Sequence, residues 1–368
     1  MLVLSAVDGS ESARFAARWA AENVVGPTDM LHLLAVLPPH FTPPVPKAVD
    51  TYAMSGLEEQ RRVDVERADS LLAACAAECC EVVPEGRLFL SKVMAHGGAS
   101  GVGESVLEEA ADRRAALIVL GSRGMGAVKR SLMALIGLGS VGDYVAHNAR
   151  CPVAVVPLPP AARAAAAGPA ATQEGPRQVC VAVDASPAAQ QALRWALARL
   201  MAPPARASLL HVVSVARSVP LPMVEDGAAA AAVLEAQRWS EAKQEALAEA
   251  AALCEAALEQ AAIALGRVAA STRALEPEGG ASGAGEAVCR YVRELHGDIL
   301  VLGSRGLAEL QRSLLPLLGL GSVSDYCGLH TKYLCSSMLA RKDCAHARVH
   351  QARYAVVVVK GEAVPAAM

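Results

Sequence analysis

The sequence predicts an α/β chain of two tandem domains, each a parallel sheet with helices on both faces. Three observations carry this expectation. Unbroken apolar runs such as Leu2–Val7 alternate with helix-like segments, the pattern of strands buried on both sides. The block Leu120-Gly121-Ser122-Arg123-Gly124 … Gly139-Ser140-Val141-Gly142-Asp143-Tyr144 returns as Leu302-Gly303-Ser304-Arg305-Gly306 … Gly321-Ser322-Val323-Ser324-Asp325-Tyr326. The order of elements around the block repeats as well. The 368 residues therefore divide into domains at 1–158 and 177–362, joined by a linker at 159–176.

The first copy opens with strand 2–7, then Asp8. A helix follows with Ser10 as N-cap, and Phe15 and Trp19 share one face at i, i+4. Strand 31–36 comes next, then a proline-rich loop, a long helix over about 57–80 and a strand over about 87–94. Gly97–Glu104 leads into helix 104–114, and strand 116–120 precedes the glycine block. Helix 140–148 and strand 152–157 close the copy. In the second copy Val179–Asp184 matches the first strand, Trp195 matches Trp19, and Val212 is aligned with Val36. A single change of offset is expected, between the second strand and Gly279–Glu286, near the long helix over about 228–263. A basic insertion, about 328–353, separates Tyr326 from the last strand.

Composition bounds the function. Hydrophobic residues make up 53% and aromatics only 3%, so an aliphatic core with closely approaching helices is expected. A net charge of −3 leaves no footprint for nucleic acid or an anionic membrane. No apolar run reaches the roughly 18–20 residues that span a bilayer. Leu2–Val7 reads as a strand, so no leader peptide is expected. The ten scattered cysteines suit a reducing, cytoplasmic setting.

The candidate chemistry gathers at strand ends. Gly121 and Gly124 follow a strand, where glycine permits close approach of a ligand to the backbone. Gly139-Ser140 offers main-chain donors at a helix start, where the dipole favours an anion. Tight turns and a simple N-cap explain the same residues equally well. Asp8 and Asp184 end the first strands, facing the switch point of a doubly wound sheet, where a carboxylate can accept from a ribose hydroxyl or an exocyclic amine. The competing reading is an Asx-turn or cap. Gly97–Glu104 and Gly279–Glu286 read as strand-to-helix turns. Cys79-Cys80 reads as helix packing, and Cys335, Cys344, His346 and His350 match no common zinc spacing. No phosphate-loop, nucleophile-elbow or His-Glu-x-x-His signature occurs.

A strand ending in Val-Asp-Gly-Ser, a Leu-Leu-His-Val second strand, and Gly-x-x-Gly … Gly-Ser before a final helix and strand together resemble the universal stress protein domain. Val3–Ser10, Leu120–Gly124 and Gly139–Tyr144 carry the resemblance in the first copy. Val179–Ser186, Leu209–Val213, Leu302–Gly306 and Gly321–Tyr326 carry it in the second, and the Ser-Val-x-Asp-Tyr ending is similar to plant and algal members. The resemblance implies Rossmann-like, adenine nucleotide alpha hydrolase-like domains with five parallel strands in the order 3-2-1-4-5. It implies an ATP-binding stress or signalling module, with Mg²⁺ arriving with the nucleotide and no dedicated catalysis. The nucleotide contacts it implies are Ala6, Asp8, Val36, Leu120, Gly121, Gly124, Gly139, Ser140 and Val141 in the first copy. In the second they are Ala182, Asp184, Val212, Leu302, Gly303, Gly306, Gly321, Ser322 and Val323. It also implies pairing through the last strands, within one chain or between two. Three departures stand out. Met125–Leu138 and Leu307–Leu320 are longer than the family spacer, Pro316 replaces Ala134, and Ala35 stands where the second copy has His211. The alternatives are a scaffold of the same fold that binds no nucleotide and, further off, a weak ATPase or a nucleotidyl transferase.

Overall fold

The computed structural model describes residues 1–39, 51–95, 101–122, 141–158, 176–201, 207–217, 219, 229–266, 269–277, 283–304 and 354–360. These fall into two compact units, residues up to 158 in the first and from 176 in the second. Most of the linker and the basic insertion lie outside the described residues.

The first unit contains β1 (Leu2–Val7), α1 (Glu11–Asn23), β2 (Met30–Leu37), α2 (Thr51–Cys80), β3 (Leu88–Met94), α3 (Gly101–Asp112), β4 (Leu117–Gly121), α4 (Val141–Asn148) and β5 (Val153–Val156). Its strands lie in the order β3-β2-β1-β4-β5, all parallel. The second contains β6 (Arg177–Ala182), α5 (Pro187–Ala196), a π-helical turn (Leu197–Met201), β7 (Ser208–Val215), α6 (Ala229–Leu265), β8 (Ala270–Leu275), α7 (Gly283–Glu294), β9 (Ile299–Gly303) and β10 (Ala355–Val359). Its order, β8-β7-β6-β9-β10, repeats the first. Both sheets thus have the expected 3-2-1-4-5 arrangement.

Strands covered on both faces are apolar throughout. All four residues of β5 and all five of β10 are buried. Even-numbered residues of β1 and β2 (Leu4, Leu34) pack under Val106 and Ala110 of α3 and Val145 of α4. The outer strand β3 is half-exposed along its length, as an edge should be. Alanine lets α1 lie close to the sheet: Ala13, Ala16, Ala17, Ala20 and Ala21 are buried. In α2 the buried stripe is Ala68, Leu72, Cys75 and Cys79, and in α6 it is Ala250, Cys254, Ala257 and Ala261. Both stripes step by four, three and four, one face of a helix.

Strand register corrects two expectations. Leu4 pairs with His32 in the first sheet, and Cys180, the counterpart of Leu4, pairs with His211 in the second. His32 is therefore the counterpart of His211, and the first copy keeps the second-strand histidine. By the same register Val36 corresponds to Val215, not to Val212, whose counterpart is Leu33. The physical cause is three extra residues between α5 and β7, where the π-helical turn lies. The copies thus shift relative to each other before the second strand as well as after it.

Candidate functional site

In each sheet the strand order reverses between the first and fourth strands, which leaves a crevice outside their carboxyl ends. In the first unit this is the end of β1 and β4. In the second it is the end of β6 and β9. Asp8 stands exposed just past β1, and Asp184 half-exposed just past β6. Each carboxylate also holds its own turn: Asp8 Oδ1 accepts from the Ser10 amide at 3.0 Å, and Asp184 Oδ1 from the Ser186 amide at 2.9 Å. The Asx-turn reading is correct for both. Ser10 and Ser186 then cap α1 and α5 by accepting from Ala13 and Ala189. Gly9 has φ +80°, a conformation its counterpart Ala185 does not share.

Gly121 and Gly303 end the fourth strands, but the close approach at each is made by a helix. A Cβ on Gly121 would lie 2.7 Å from the Ser12 carbonyl carbon and 2.8 Å from the Ala13 nitrogen. On Gly303 it would lie 2.5 Å from the Ala188 carbonyl carbon. The first turn of the helix after the first strand, α1 or α5, thus lies against each glycine on its Cβ side. The next amides are bonded too: Ser122 N–H donates to Val156 and Ser304 N–H to Val359.

Of the remaining expected residues, Leu120 and Leu302 are buried in the core, and Ala6, Ala182 and Val36 are partly buried against it. Val212 is fully buried. Val141 is exposed at the first turn of α4. Gly124, Gly139, Ser140, Gly306, Gly321, Ser322 and Val323 lie outside the described residues, as do Cys335, Cys344, His346 and His350. Gly101–Gly103 form the first turn of α3, and residues 96–100 lie outside the described residues. Gly103 is bare because a Cβ there would lie 2.6 Å from the Tyr144 ring, whose hydroxyl donates to Glu104 at 3.4 Å. Cys75 and Cys79 are buried on α2, where burial pushes their thiols up to about 11 and about 12.

The sequence reading missed a polar chain in each unit that joins a buried second-strand histidine to a serine of the outer strand. His32 Nε2 lies 2.6 Å from Ser91 Oγ, and Ser91 donates to Glu109 Oε1 at 3.3 Å. Glu109 also accepts from Arg113 Nε at 3.1 Å. In the second unit His211 Nδ1 lies 2.7 Å from Ser271 Oγ, and Nε2 lies 2.7 Å from Gln178 Oε1. Tyr291, the counterpart of Glu109, hydrogen-bonds Ser271. Burial holds both imidazoles below the ordinary histidine range. At His32 the Glu109 carboxylate opposes that effect and Arg113 adds to it. The signal in the sequence was the histidine in each second strand, but its partners come from strand and helix positions that only register reveals. Among the described residues no group of three or more His, Cys, Asp or Glu could hold a metal ion, and no helix is long and apolar enough to cross a membrane.

The model of the Universal stress protein family matches residues 1–157 and again 176–333. Universal stress protein PHOS34 of Arabidopsis thaliana is 31% identical over 168 residues, covering 42% of this chain and 60% of the relative. Universal stress protein Rv1996 of Mycobacterium tuberculosis is 29% identical over 192 residues, covering 50% of this chain and 54% of the relative. The chain thus spans little more than half the length of these curated relatives. A universal stress protein from Archaeoglobus fulgidus DSM 4304, solved as a crystal structure, superposes with a TM-score of 0.50 at 16% identity, over 98% of this chain and 96% of that one. Two matches of one family model, placed on two sheets of the same strand order, show that the chain belongs to the universal stress protein family as a tandem, two-domain member.

Proposed function

We propose that the chain binds an adenine nucleotide, ATP foremost, in the crevice between the first and fourth strands of its units, and turns occupancy into a stress or signalling response. The observation that carries this reading is the placement of Asp8 and Asp184. Each is a carboxylate at the switch-point end of a first strand, held by an Asx-turn, exposed at Asp8 and half-exposed at Asp184. A carboxylate so placed suits a ribose hydroxyl. Val141, at the start of α4, presents a helix N-terminus of the kind that favours phosphate. Gly121 and Gly303 act by drawing the capped helix against the strand, which positions Asp8 and Asp184 from behind. Mg²⁺ accompanies the phosphates in this reading, and no residue of the chain has a dedicated catalytic role.

Calorimetric titration of ATP with Mg²⁺ tests the reading. Asp8→Asn and Asp184→Asn keep an oxygen for the Asx-turn and remove the charge. Weakening of ATP binding by about tenfold in the double variant is the expected result. Unchanged binding in a folded double variant rejects the assigned carboxylates.

A scaffold without nucleotide is the second reading, and one observation favours it. The glycines that end β4 and β9 are fully explained by helix packing, so they need no ligand to account for them. Absence of any ATP heat with the parent protein selects this reading.

A further inference from the structure

The outer edge of the first sheet is complementary to itself. Among the described residues β3 pairs with β2 alone, so its other side is open. Ala95 N–H donates to the Leu37 carbonyl. Strand alternation then turns the main chain of Phe89, Ser91 and Val93 toward β2, and that of Leu88, Leu90, Lys92 and Met94 outward. Two outward groups are already engaged. Leu88 N–H donates to the Glu85 carbonyl, and the Met94 carbonyl accepts from Ser105 Oγ at 3.2 Å. Among the described residues this leaves as donors the N–H groups of Leu90, Lys92 and Met94, and as acceptors the carbonyls of Leu88, Leu90 and Lys92.

A second copy of β3, laid antiparallel about a twofold axis through Ser91 and perpendicular to the sheet, matches all of them. Leu90 N–H meets the Lys92 carbonyl, Lys92 N–H meets Leu90, and Met94 N–H meets Leu88, each twice by symmetry. The two engaged groups then face each other and need no partner. Sliding one strand by two residues in either direction sets a free donor against an engaged carbonyl or beyond the strand.

The side chains favour the same register. Phe89, Leu90 and Met94 are 47%, 47% and 37% exposed. Across the axis Phe89 stands opposite Val93, Leu88 opposite Met94, and Leu90 opposite the stem of Lys92. An edge lysine ordinarily discourages such pairing. Here its ammonium lies 2.5 Å from both carboxylate oxygens of Asp69 on α2, so two neutralised pairs meet at the axis instead of two like charges. The second unit shows that the fold does not require this surface. By register Ser271 and Thr272 of β8 stand where β3 has Phe89 and Leu90, and both are exposed.

We propose that two copies of the chain associate through β3, paired antiparallel about Ser91, at the edge of the first sheet opposite β5. The seven residues of β3 fall short of the roughly 20–30 a side of a standard interface, so the dimer is weak and depends on concentration.

Sedimentation equilibrium of the full chain from about 1 to 100 μM is expected to show monomer and dimer balanced at roughly 10 μM. A chain that stays monomeric overturns the proposal and leaves the edge to a strand of another protein. Phe89→Ser with Leu90→Thr gives β3 the residues of β8 and is expected to weaken association at least about tenfold. An equally tight dimer in this folded variant overturns the proposal. Independently, Ser91→Cys places a thiol from each copy at the axis, in a pair with Cα atoms about 4.5 Å apart, within disulfide reach. Mild oxidation followed by peptide mapping is expected to find residue 91 joined to residue 91 of a second chain. A dimer in which that link never forms overturns the proposal.

Discussion

Gly121 lies against the backbone of Ser12 so closely that a methyl group would sit 2.7 Å from the Ser12 carbonyl. Neither partner is a side-chain tip that can swing away. Helix α1 and strand β4 meet through main chain, and the same contact recurs between Gly303 and Ala188. Gly121→Ala and Gly303→Ala are each expected to destabilise their unit by about 3 kcal/mol, the upper part of the range for overpacking. Urea unfolding monitored at Trp19 and Trp195 reads this. An unchanged midpoint would show that the helix moves aside freely.

Among the described residues, Ser5 and Ser214 carry buried hydroxyls with no hydrogen-bond partner. Both lie in inner strands, at 0% and 2% exposure. Replacement by alanine removes an unsatisfied polar atom and leaves little void. Each variant is expected to unfold at the parent's urea midpoint or above it, by up to about 1 kcal/mol. A clear loss of stability in either would reveal a partner for that hydroxyl.

Ser10→Ala and Ser186→Ala remove the caps that accept from Ala13 and Ala189. A loss of about 1 kcal/mol is expected in each case. Ser10→Asp is expected to restore most of it, since aspartate supplies an acceptor and a favourable charge at the helix start. Thermal unfolding of the three variants provides the comparison.

Stability is expected to fall with acidification below about pH 6.5, the ordinary histidine value. The sign follows from burial. Both histidines bind protons less readily folded than unfolded, so the unfolded chain takes up more protons as the pH drops and is favoured. Urea midpoints at pH 7.5 and 5.5 measure the effect. The His32→Asn, His211→Asn double variant is expected to show a smaller difference between the two pH values.

Cys75 and Cys79 are expected to resist a thiol reagent at pH 7.5 in the folded protein, since thiolate is the reactive form and burial holds both thiols far above that pH. Rapid labelling of either residue under native conditions would contradict their placement on the buried face of α2.

Much of this architecture was legible because it rests on period and punctuation. Apolar runs gave the strands, Ser10 gave a helix start, and the repeated glycine block marked two sheets. The boundary errors are small, as at β6, which begins at Arg177 where the sequence suggested Val179. The equivalence of Val36 and Val212 failed for a different reason. One strand reads Leu-His-Leu-Leu and the other Leu-His-Val-Val, so an apolar run alone cannot fix register, and the three residues before β7 shift it. At the crevice the sequence located Asp8 and Asp184 but could not show that each carboxylate also closes its own turn. It assigned the bareness of Gly121 to a ligand because no sequence signal tells which chain segment comes nearest a strand end. The partners of His32 and His211 were hidden for the same cause: Ser91, Glu109, Ser271 and Tyr291 are distant in the chain.

The serine that meets each histidine comes from a different rung of the outer strand. Ser271 stands directly opposite His211, whereas the residue opposite His32 is Phe89 and the serine is two places further on. The halves have therefore drifted as sets rather than residue by residue. A chimera that grafts α7 onto the first sheet would put a tyrosine where Ser91 expects a carboxylate, and grafting β8 alone would put an arginine in the place of that serine. Exchange between the halves is safe only when helix, outer strand and histidine strand travel together.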